Sequence, residues 1–318
     1  MSLPSPAVLE LEGICKRYRQ QIILERIGLR VGRGEIVGLL GPNGSGKTTT
    51  LRIAAGYLWP DEGKVAVNGN PVTPDNPSSR RRIGYLPEKA PLYLPFTVRA
   101  QLEFVAAARG IERRDISAAI STVLNRFHLE AVADRVIGRL SKGYRQRVGL
   151  AQTVLGSTDL LLLDEPTNGL DPFQLMEARE IIRTMAADRG VIFSTHIMQE
   201  IEALCSRVVY LRSGELIEIP LTPQTADNDI ILASVETTAV DVLTANIAAI
   251  NGAVHVLQIE QLQPDQFSLR IQAPQTVQAE LARMIAAAGR LLSWLPAPRG
   301  LEQRLLDIIT DDARESKV

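Results

Sequence analysis

Apolar positions along the first two thirds of the chain follow two different rhythms. Three continuous apolar runs have the length of buried strands: EIVGLLGP (35–42), DLLLLDEP (159–166) and GVIFSTH (190–196). Each run leads into a segment with helical spacing, as at 46–58 and 172–188. Buried strands separated by helices imply a parallel sheet covered on both faces. We therefore predict an α/β fold for this part of the chain.

Shorter patterns surround these runs. VLELEGICKRY (8–18) and IGLRVGRGEI (27–36) predict short N-terminal strands with turns. GKVAVNGNPV (63–72) predicts a hairpin turned at the Asn-Gly pair in its centre. Residues 97–157 have mostly helical spacing and predict an inserted helical block. RVVYLRSGELIEI (207–219) predicts a final hairpin.

The pattern changes after a Pro-, Thr- and Asp-rich stretch, PLTPQTADND, which we interpret as a linker at 220–229. Beyond the linker, strand and helix patterns follow in the order βαββαβ, with a further helix predicted at 301–310. This order is typical of a small α+β unit of the ferredoxin-like type. We predict two domains, at 1–219 and 220–318. No function can be assigned from such a fold, and we expect either a regulatory or dimer-supporting role or an inert appendage.

The composition of the chain limits the kinds of molecule that it is expected to bind. The 318 residues carry 35 Lys and Arg against 36 Asp and Glu, so no global charge favours nucleic acid or anionic lipid. Cys15 and Cys205 show no metal-binding spacing, and we interpret them as reduced thiols, with a single disulfide as the alternative. No apolar run approaches the roughly 20 residues that span a bilayer, and the N-terminus lacks the layout of a signal peptide. We expect the membrane span of any membrane assembly to lie on another chain.

The strongest chemical signal is GPNGSGKT at 41–48, which matches G-x-x-x-x-G-K-[ST] between a predicted strand and a predicted helix. Its glycines let backbone N–H groups curl around anionic oxygens, and the helix N-terminus adds partial positive charge. Lys47 is expected at the β- and γ-phosphates and Thr48 at Mg²⁺. A simple glycine-rich turn is the alternative. The predicted nucleotide contacts are Gly41, Pro42, Asn43, Gly44, Ser45, Gly46, Lys47, Thr48 and Thr49.

Two carboxylates follow the apolar run LLLL at 160–163. Asp164 ends that predicted strand at the edge of the sheet where ligands bind, and it is expected to hold magnesium. Glu165 is expected to polarise the attacking water. A strand that merely ends in acidic residues is the alternative, and the nearby phosphate loop weighs against it.

Two further side chains are candidates for the same site. His196 ends GVIFSTH, so it is expected to face the γ-phosphate if its strand joins the same sheet. A lone histidine is more often a structural hydrogen-bonding group. Tyr18 precedes the first hairpin and is a candidate to stack on adenine, although loop tyrosines often only pack.

Taken in order, the motifs resemble those of the ATP-binding subunits of ABC transporters over about residues 8–219. GPNGSGKT resembles the Walker A loop, LLLLDE the Walker B strand with its catalytic glutamate, NGLDP (168–172) the D-loop and STH the switch histidine. The resemblance implies a P-loop NTPase core with an inserted helical subdomain and an N-terminal β subdomain. It also implies ATP hydrolysis with Mg²⁺. Glu88 in GYLPE takes the Q-loop position, where the family usually has glutamine. The resemblance implies a catalytic and metal-binding role there, and a carboxylate can still contact metal or water, although it cannot donate a hydrogen bond.

LSKGYRQRV (140–148) is a stretch that, taken alone, indicates only a helix cap at Ser141. It resembles the family signature, usually LSGGQ, with Lys142 and Tyr144 at altered positions. In the family, two subunits pair head to tail, and the signature of one covers the ATP bound by the other. The resemblance therefore implies that Ser141, Gly143 and Tyr144 contact the nucleotide of a second copy or of a paired ATPase subunit.

GYLPE followed by APLYLPFTVRAQLEF (90–104) resembles the branch of type-2 exporters, including gliding-motility-like and drug or polysaccharide exporters. That resemblance implies a separate transmembrane permease, contacted by about residues 86–105, and a peripheral location on the cytoplasmic face of the cell membrane. The alternative is an ABC-type ATPase that acts on ribosomes or nucleic acid without a membrane partner. No nucleic acid is expected, because the chain has one ATPase unit and no basic bias. A kinase is a third hypothesis, against which the signature and switch histidine argue.

Overall fold

The computed structural model describes residues 7–219, 226–248, 254–298 and 305. The chain forms two units, Met1–Leu221 and Thr222–Val318, each with its own hydrophobic core.

The first unit is built on a six-stranded sheet in the order β10-β9-β3-β8-β7-β6. Its five strands other than β10 run parallel, and β10 forms an antiparallel edge through the predicted final hairpin. The three apolar runs of the sequence are β3, β7 and β8, and every residue of these strands is buried. The predicted α/β fold is confirmed. The strands are β3 (Ile36–Leu40), β6 (Ile83–Leu86), β7 (Leu160–Asp164), β8 (Gly190–Ser194), β9 (Arg207–Arg212) and β10 (Glu215–Ile219).

A second sheet of this unit has the order β2-β1-β4-β5 and is antiparallel. Its strands β1 (Ala7–Tyr18) and β2 (Gln21–Gly32) have 12 residues each, longer than the pattern predicts. They continue through positions where the sequence pattern breaks, because register shifts absorb the irregular residues. The predicted hairpin of β4 (Glu62–Val67) and β5 (Asn70–Pro71) is present, with Asn68 and Gly69 at positive φ of 49° and 74°.

Helices connect these strands and form the inserted block. Three helices of the block, α2, α3 and α4, lie between β6 and β7 in the chain, as predicted. The hydroxyl of Thr97 caps α2 by accepting from the backbone N–H of Ala100 at 3.1 Å. No helix among the described residues is long and apolar enough to cross a membrane. The helices of this unit are α1 (Lys47–Ala54), α2 (Val98–Ala108), α3 (Arg113–Arg126), α4 (Lys142–Thr153), α5 (Pro172–Ala186) and α6 (Met198–Leu204).

The second unit is an antiparallel sheet in the order β12-β13-β11-β14, with helices α7 and α8 in the crossovers. This is the strand order of the predicted ferredoxin-like fold. Strand β11 begins at Ala226, inside the stretch predicted as a linker, and the helix predicted at 301–310 lies outside the described residues apart from Leu305. The elements are β11 (Ala226–Glu236), α7 (Val240–Ala248), β12 (His255–Gln263), β13 (Gln266–Gln272), α8 (Gln275–Ala288) and β14 (Arg290–Pro298).

A buried carboxylate at the start of β7 ties both sheets of the first unit together. Asp159 is 7% exposed and accepts from Asn68 at 2.9 Å, from Arg33 at 3.1 Å and from Arg82. Because Asp159→Asn leaves these donors without a charged partner, it is expected to lower the free energy of unfolding by roughly 2–4 kcal/mol. Urea denaturation measures the loss. Glu180→Gln, at an exposed ion pair on α5, is the control. An equal loss of unfolding free energy in both variants would contradict a stabilising role of Asp159 between the two sheets.

Candidate active site

The phosphate loop joins β3 to α1 and depends on glycine at specific points. Gly44 and Gly46 have φ of 82° and 108°, which side chains disfavour. A Cβ on Gly41 would lie 2.5 Å from the carbonyl oxygen of Leu211, so only glycine fits there. The loop therefore takes a tight curve, the kind of backbone conformation that can gather N–H groups around an anion.

Lys47 begins α1 and is held on this loop. Its ammonium group donates to the carbonyl oxygens of Gly41 at 2.7 Å and Pro42 at 3.2 Å. Burial lowers the pKa of Lys47, while the negative charges of Glu165, Asp164 and Glu88 act to raise it. A cation is thus fixed at the mouth of the loop and faced by carboxylates from two other segments.

Asp164 is positioned by hydroxyl groups on two sides. Its Oδ2 accepts from Oγ1 of Thr48 at 2.8 Å, and its Oδ1 accepts from Oγ of Ser194 at 2.7 Å. The carboxylate is 2% exposed and sits at the carboxyl end of β7, beside the loop. A hydroxyl and a carboxylate in contact are oxygen ligands of the kind Mg²⁺ takes, so the residues fit a magnesium site.

Glu165 and His196 face each other at the ends of neighbouring strands. Nδ1 of His196 lies 3.0 Å from Oε2 of Glu165, whose backbone N–H donates to the Ser194 carbonyl at 3.1 Å. Glu165 has a φ of 48°, which is uncommon for a residue with a side chain and often marks a functional site. The His196 side chain is 50% exposed and that of Glu165 is 12% exposed, so the imidazole covers the carboxylate from the solvent side.

One open cleft of about 450 Å³ collects most of the predicted residues. Tyr18, which is 47% exposed, lines the same cleft as the phosphate loop. Ile23 and Asn168 also line it. Sequence reasoning missed Ile23, which carries no chemical signal, and Asn168 was noted only within NGLDP. The predicted residues that line the cleft are Tyr18, Asn43, Gly44, Gly46, Lys47, Thr48, Thr49, Glu88, Asp164, Glu165 and His196.

Three predicted loop residues do not line the cleft. Gly41 and Pro42 instead hold Lys47 through their carbonyl oxygens. The hydroxyl of Ser45 is buried without a hydrogen-bond partner among the described residues. Ser194, which the sequence analysis did not single out, holds Asp164 together with Thr48. A polar residue at the end of an otherwise apolar strand was the available signal.

The signature stretch lies away from the cleft of its own chain. Ser141 caps α4, as predicted, by accepting from the N–H of Tyr144 at 3.4 Å, and Gly143 packs under the side chain of Gln174. Neither Ser141 nor Gly143 nor Tyr144 lines the cleft. The N-terminus of α4 is exposed at Ser141 and Lys142, so it presents its positive end to solvent.

Comparison with known proteins decides the family. The sequence pattern of the ABC transporter family matches residues 24–168. The ABC transporter ATP-binding protein YxlF of Bacillus subtilis is 36% identical over 209 residues, which cover 66% of this chain and 69% of that protein. The chain belongs to the ABC transporter ATP-binding proteins. It is therefore a nucleotide-binding ATPase subunit.

Other relatives support the same family assignment. The Nod factor export ATP-binding protein I of Bradyrhizobium sp. (strain SNU001) is 36% identical over 211 residues, 66% of this chain and 69% of that protein. A solved ATP-binding subunit of an ABC transporter is 32% identical, with a TM-score of 0.61 over 67% of this chain and 90% of the other. The fold predicted for the first domain is thus confirmed, and the resemblance is to transporter subunits.

Both cysteines are free. Cys15 and Cys205 are partly buried and unbonded to each other, so the disulfide alternative is wrong. Burial raises the pKa of the Cys205 thiol to about 12, which keeps it protonated and unreactive at neutral pH.

Proposed function

We propose that this chain powers an exporter, with ATP bound between two copies and with a separate permease in the membrane. One observation carries the proposal: residues of the phosphate loop, Asp164, Glu165 and His196 line one cleft, and the signature residues Ser141, Gly143 and Tyr144 do not line it. A nucleotide cleft that the signature of the same chain does not line favours a head-to-tail pair, in which a second copy supplies the signature. The named relative that acts in Nod factor export supports the export direction.

Within this proposal, each group in the cleft has a role. Lys47 and the loop N–H groups bind the β- and γ-phosphates, and Tyr18 stacks on the adenine. Thr48, Asp164 and Glu88 would hold Mg²⁺, which when bound neutralises phosphate charge. Glu165 accepts a proton from the attacking water, and His196 orients that carboxylate and contacts the γ-phosphate.

In the proposed pair, the signature of one copy would bind the nucleotide held by the other. Ser141 and the N–H groups at the start of α4 would meet the γ-phosphate held by the partner's loop. Lys142 stands near Gly169, since a Cβ on that glycine would lie 2.1 Å from its ammonium group. The replacement of the usual signature glycine therefore places a cation between the signature and the D-loop.

An exposed aromatic cluster supports the permease partner. Tyr93, Phe96 and Phe104 pack against one another, with ring centroids 5.1–6.4 Å apart. They are nevertheless 51%, 38% and 48% exposed. Tyr93 and Phe104 line a groove of about 420 Å³ that reaches Tyr57. Clustered exposed aromatics indicate a protein interaction site, and these lie in the segment predicted to face the permease.

Recovery of the permease tests this function. The Glu165→Gln chain, expressed in its native host and captured from mild detergent with ATP, is expected to bring down a polytopic membrane protein in stoichiometric yield. Adding Phe104→Asp should lower that yield about tenfold or more, because a charge at the centre of an interface is poorly tolerated. Mass spectrometry quantifies the membrane protein recovered with each of the two chains.

Leu257→Asp, at a 49% exposed apolar position of the second unit, is the matched control and should leave the yield unchanged. Equal recovery with Phe104→Asp would show that the aromatic cluster is not the docking surface. Recovery of ribosomal proteins or nucleic acid without a membrane protein would replace the exporter by the alternative function.

A further inference from the structure

A buried carboxylate lies behind the proposed catalytic pair. Glu200, in the first turn of α6, is 1% exposed. Its Oε2 accepts hydrogen bonds from Oγ1 of Thr167 and, at 3.4 Å, from Oγ1 of Thr195. Both threonines are buried as well. One carboxylate oxygen therefore joins two hydroxyl groups that belong to different segments of the chain.

These two segments carry the proposed catalytic residues. Thr167 follows Glu165 by two positions, and Thr195 immediately precedes His196. The ladder between β7 and β8 ends at the pair Asp164 and Ser194. Beyond that pair the chain leaves the sheet, and the Glu200 carboxylate continues the connection where the ladder stops.

A contribution to stability alone does not explain this arrangement. Burial raises the pKa of Glu200, and the bonds from Thr167 and the charge of Arg179 only oppose that shift. Taking a carboxylate out of water costs free energy, which an apolar side chain of similar volume would avoid. A bonded carboxylate at this point instead adds directional contacts, which fix the segments it joins.

We propose that Glu200 is a positioning residue for ATP hydrolysis, which holds Thr167 and Thr195 on one oxygen and thereby fixes Glu165 against His196. The two groups that Glu200 would position are in contact: Oε2 of Glu165 and Nδ1 of His196 lie 3.0 Å apart. The inference rests on the proposed function, because Glu165 and His196 have their roles from it. Glu200 itself does not line the cleft.

Two substitutions separate positioning from packing. Glu200→Met keeps the volume but removes the acceptor, and is expected to lower kcat about 10- to 100-fold with ATP affinity within about twofold. Glu200→Gln keeps an oxygen that accepts both hydroxyls, so kcat should stay within about threefold of the parent. The full chain is used, with thermal unfolding measured in parallel. Unchanged kcat in Glu200→Met, or equal losses in Met and Gln, would overturn the proposal.

A double variant distinguishes a positioning role of Glu200 from a purely structural one, because it shows whether the losses of the two single variants multiply. If Glu200 acts through Glu165, adding Glu200→Met to Glu165→Gln should cost little further activity in single-turnover assays, so the losses are not multiplicative. Multiplied losses would mean an independent, structural effect. If Glu165→Gln alone keeps parental turnover, the proposed function of the site fails. If Glu165→Gln is slow and Glu200→Met is not, only the positioning role fails.

Discussion

Glu165→Gln is expected to lower the turnover of ATP about a thousandfold while leaving ATP binding intact. The substitution removes the proton acceptor but keeps the size of the side chain and an oxygen that can still face His196, 3.0 Å away in the unmodified chain. Loss of a positioned general base costs about 10²–10⁴ in rate. Single-turnover hydrolysis and equilibrium binding of ATP measure the two quantities separately.

The same variant should accumulate as a dimer with ATP, because binding persists while the step that reopens the dimer is blocked. Size-exclusion chromatography with and without ATP measures this. Glu180→Gln, which removes an exposed carboxylate on α5, should turn over ATP normally and form no lasting dimer. A Glu165→Gln chain that stays monomeric at saturating ATP would contradict the composite site.

The sequence could predict those parts of the site that are contiguous in the chain. The phosphate loop, Asp164 and Glu165 stand next to apolar runs whose length and burial follow from their composition, so strand, loop and helix could be placed from local pattern. The contact between Asp164 and Ser194 joins β7 to β8 across 30 residues. No local pattern encodes such a contact, and the Glu200 carboxylate was overlooked for the same reason.

Errors in element bounds also have a physical origin. The strands β1 and β2 extend because register shifts in their pairing absorb residues that break the alternation, and pairing is a property of two segments together. Strand β11 starts inside a stretch with the composition of a linker, since sheet pairing with β14 outweighs weak local propensity. Ile23 joined the cleft only because β2 passes beside the loop, where Gly46 faces its side chain.

Ser141→Arg is the second substitution expected to lower ATP hydrolysis strongly, although Ser141 does not line the cleft of its own chain. In a head-to-tail dimer the bulky cation would stand between the partner's nucleotide and the N-terminus of α4, and the cap on the Tyr144 N–H would be lost. The expected loss in kcat is about 10²–10³, as for removal of an oriented donor group. ATP hydrolysis of the purified variant measures this loss, and ATP binding by the isolated chain should persist.

Mixing the two inactive chains distinguishes a composite site from a damaged fold. A mixed dimer of Ser141→Arg and Glu165→Gln carries one site with both defects and one with neither. Equal mixing makes half of the dimers mixed, so roughly a quarter of the parental activity should return. If each site lay within a single chain, every chain in the mixture would still carry its own defect, and the mixture would be as inactive as the two separate preparations. Recovered activity would therefore show that the signature of one chain completes the cleft of the other.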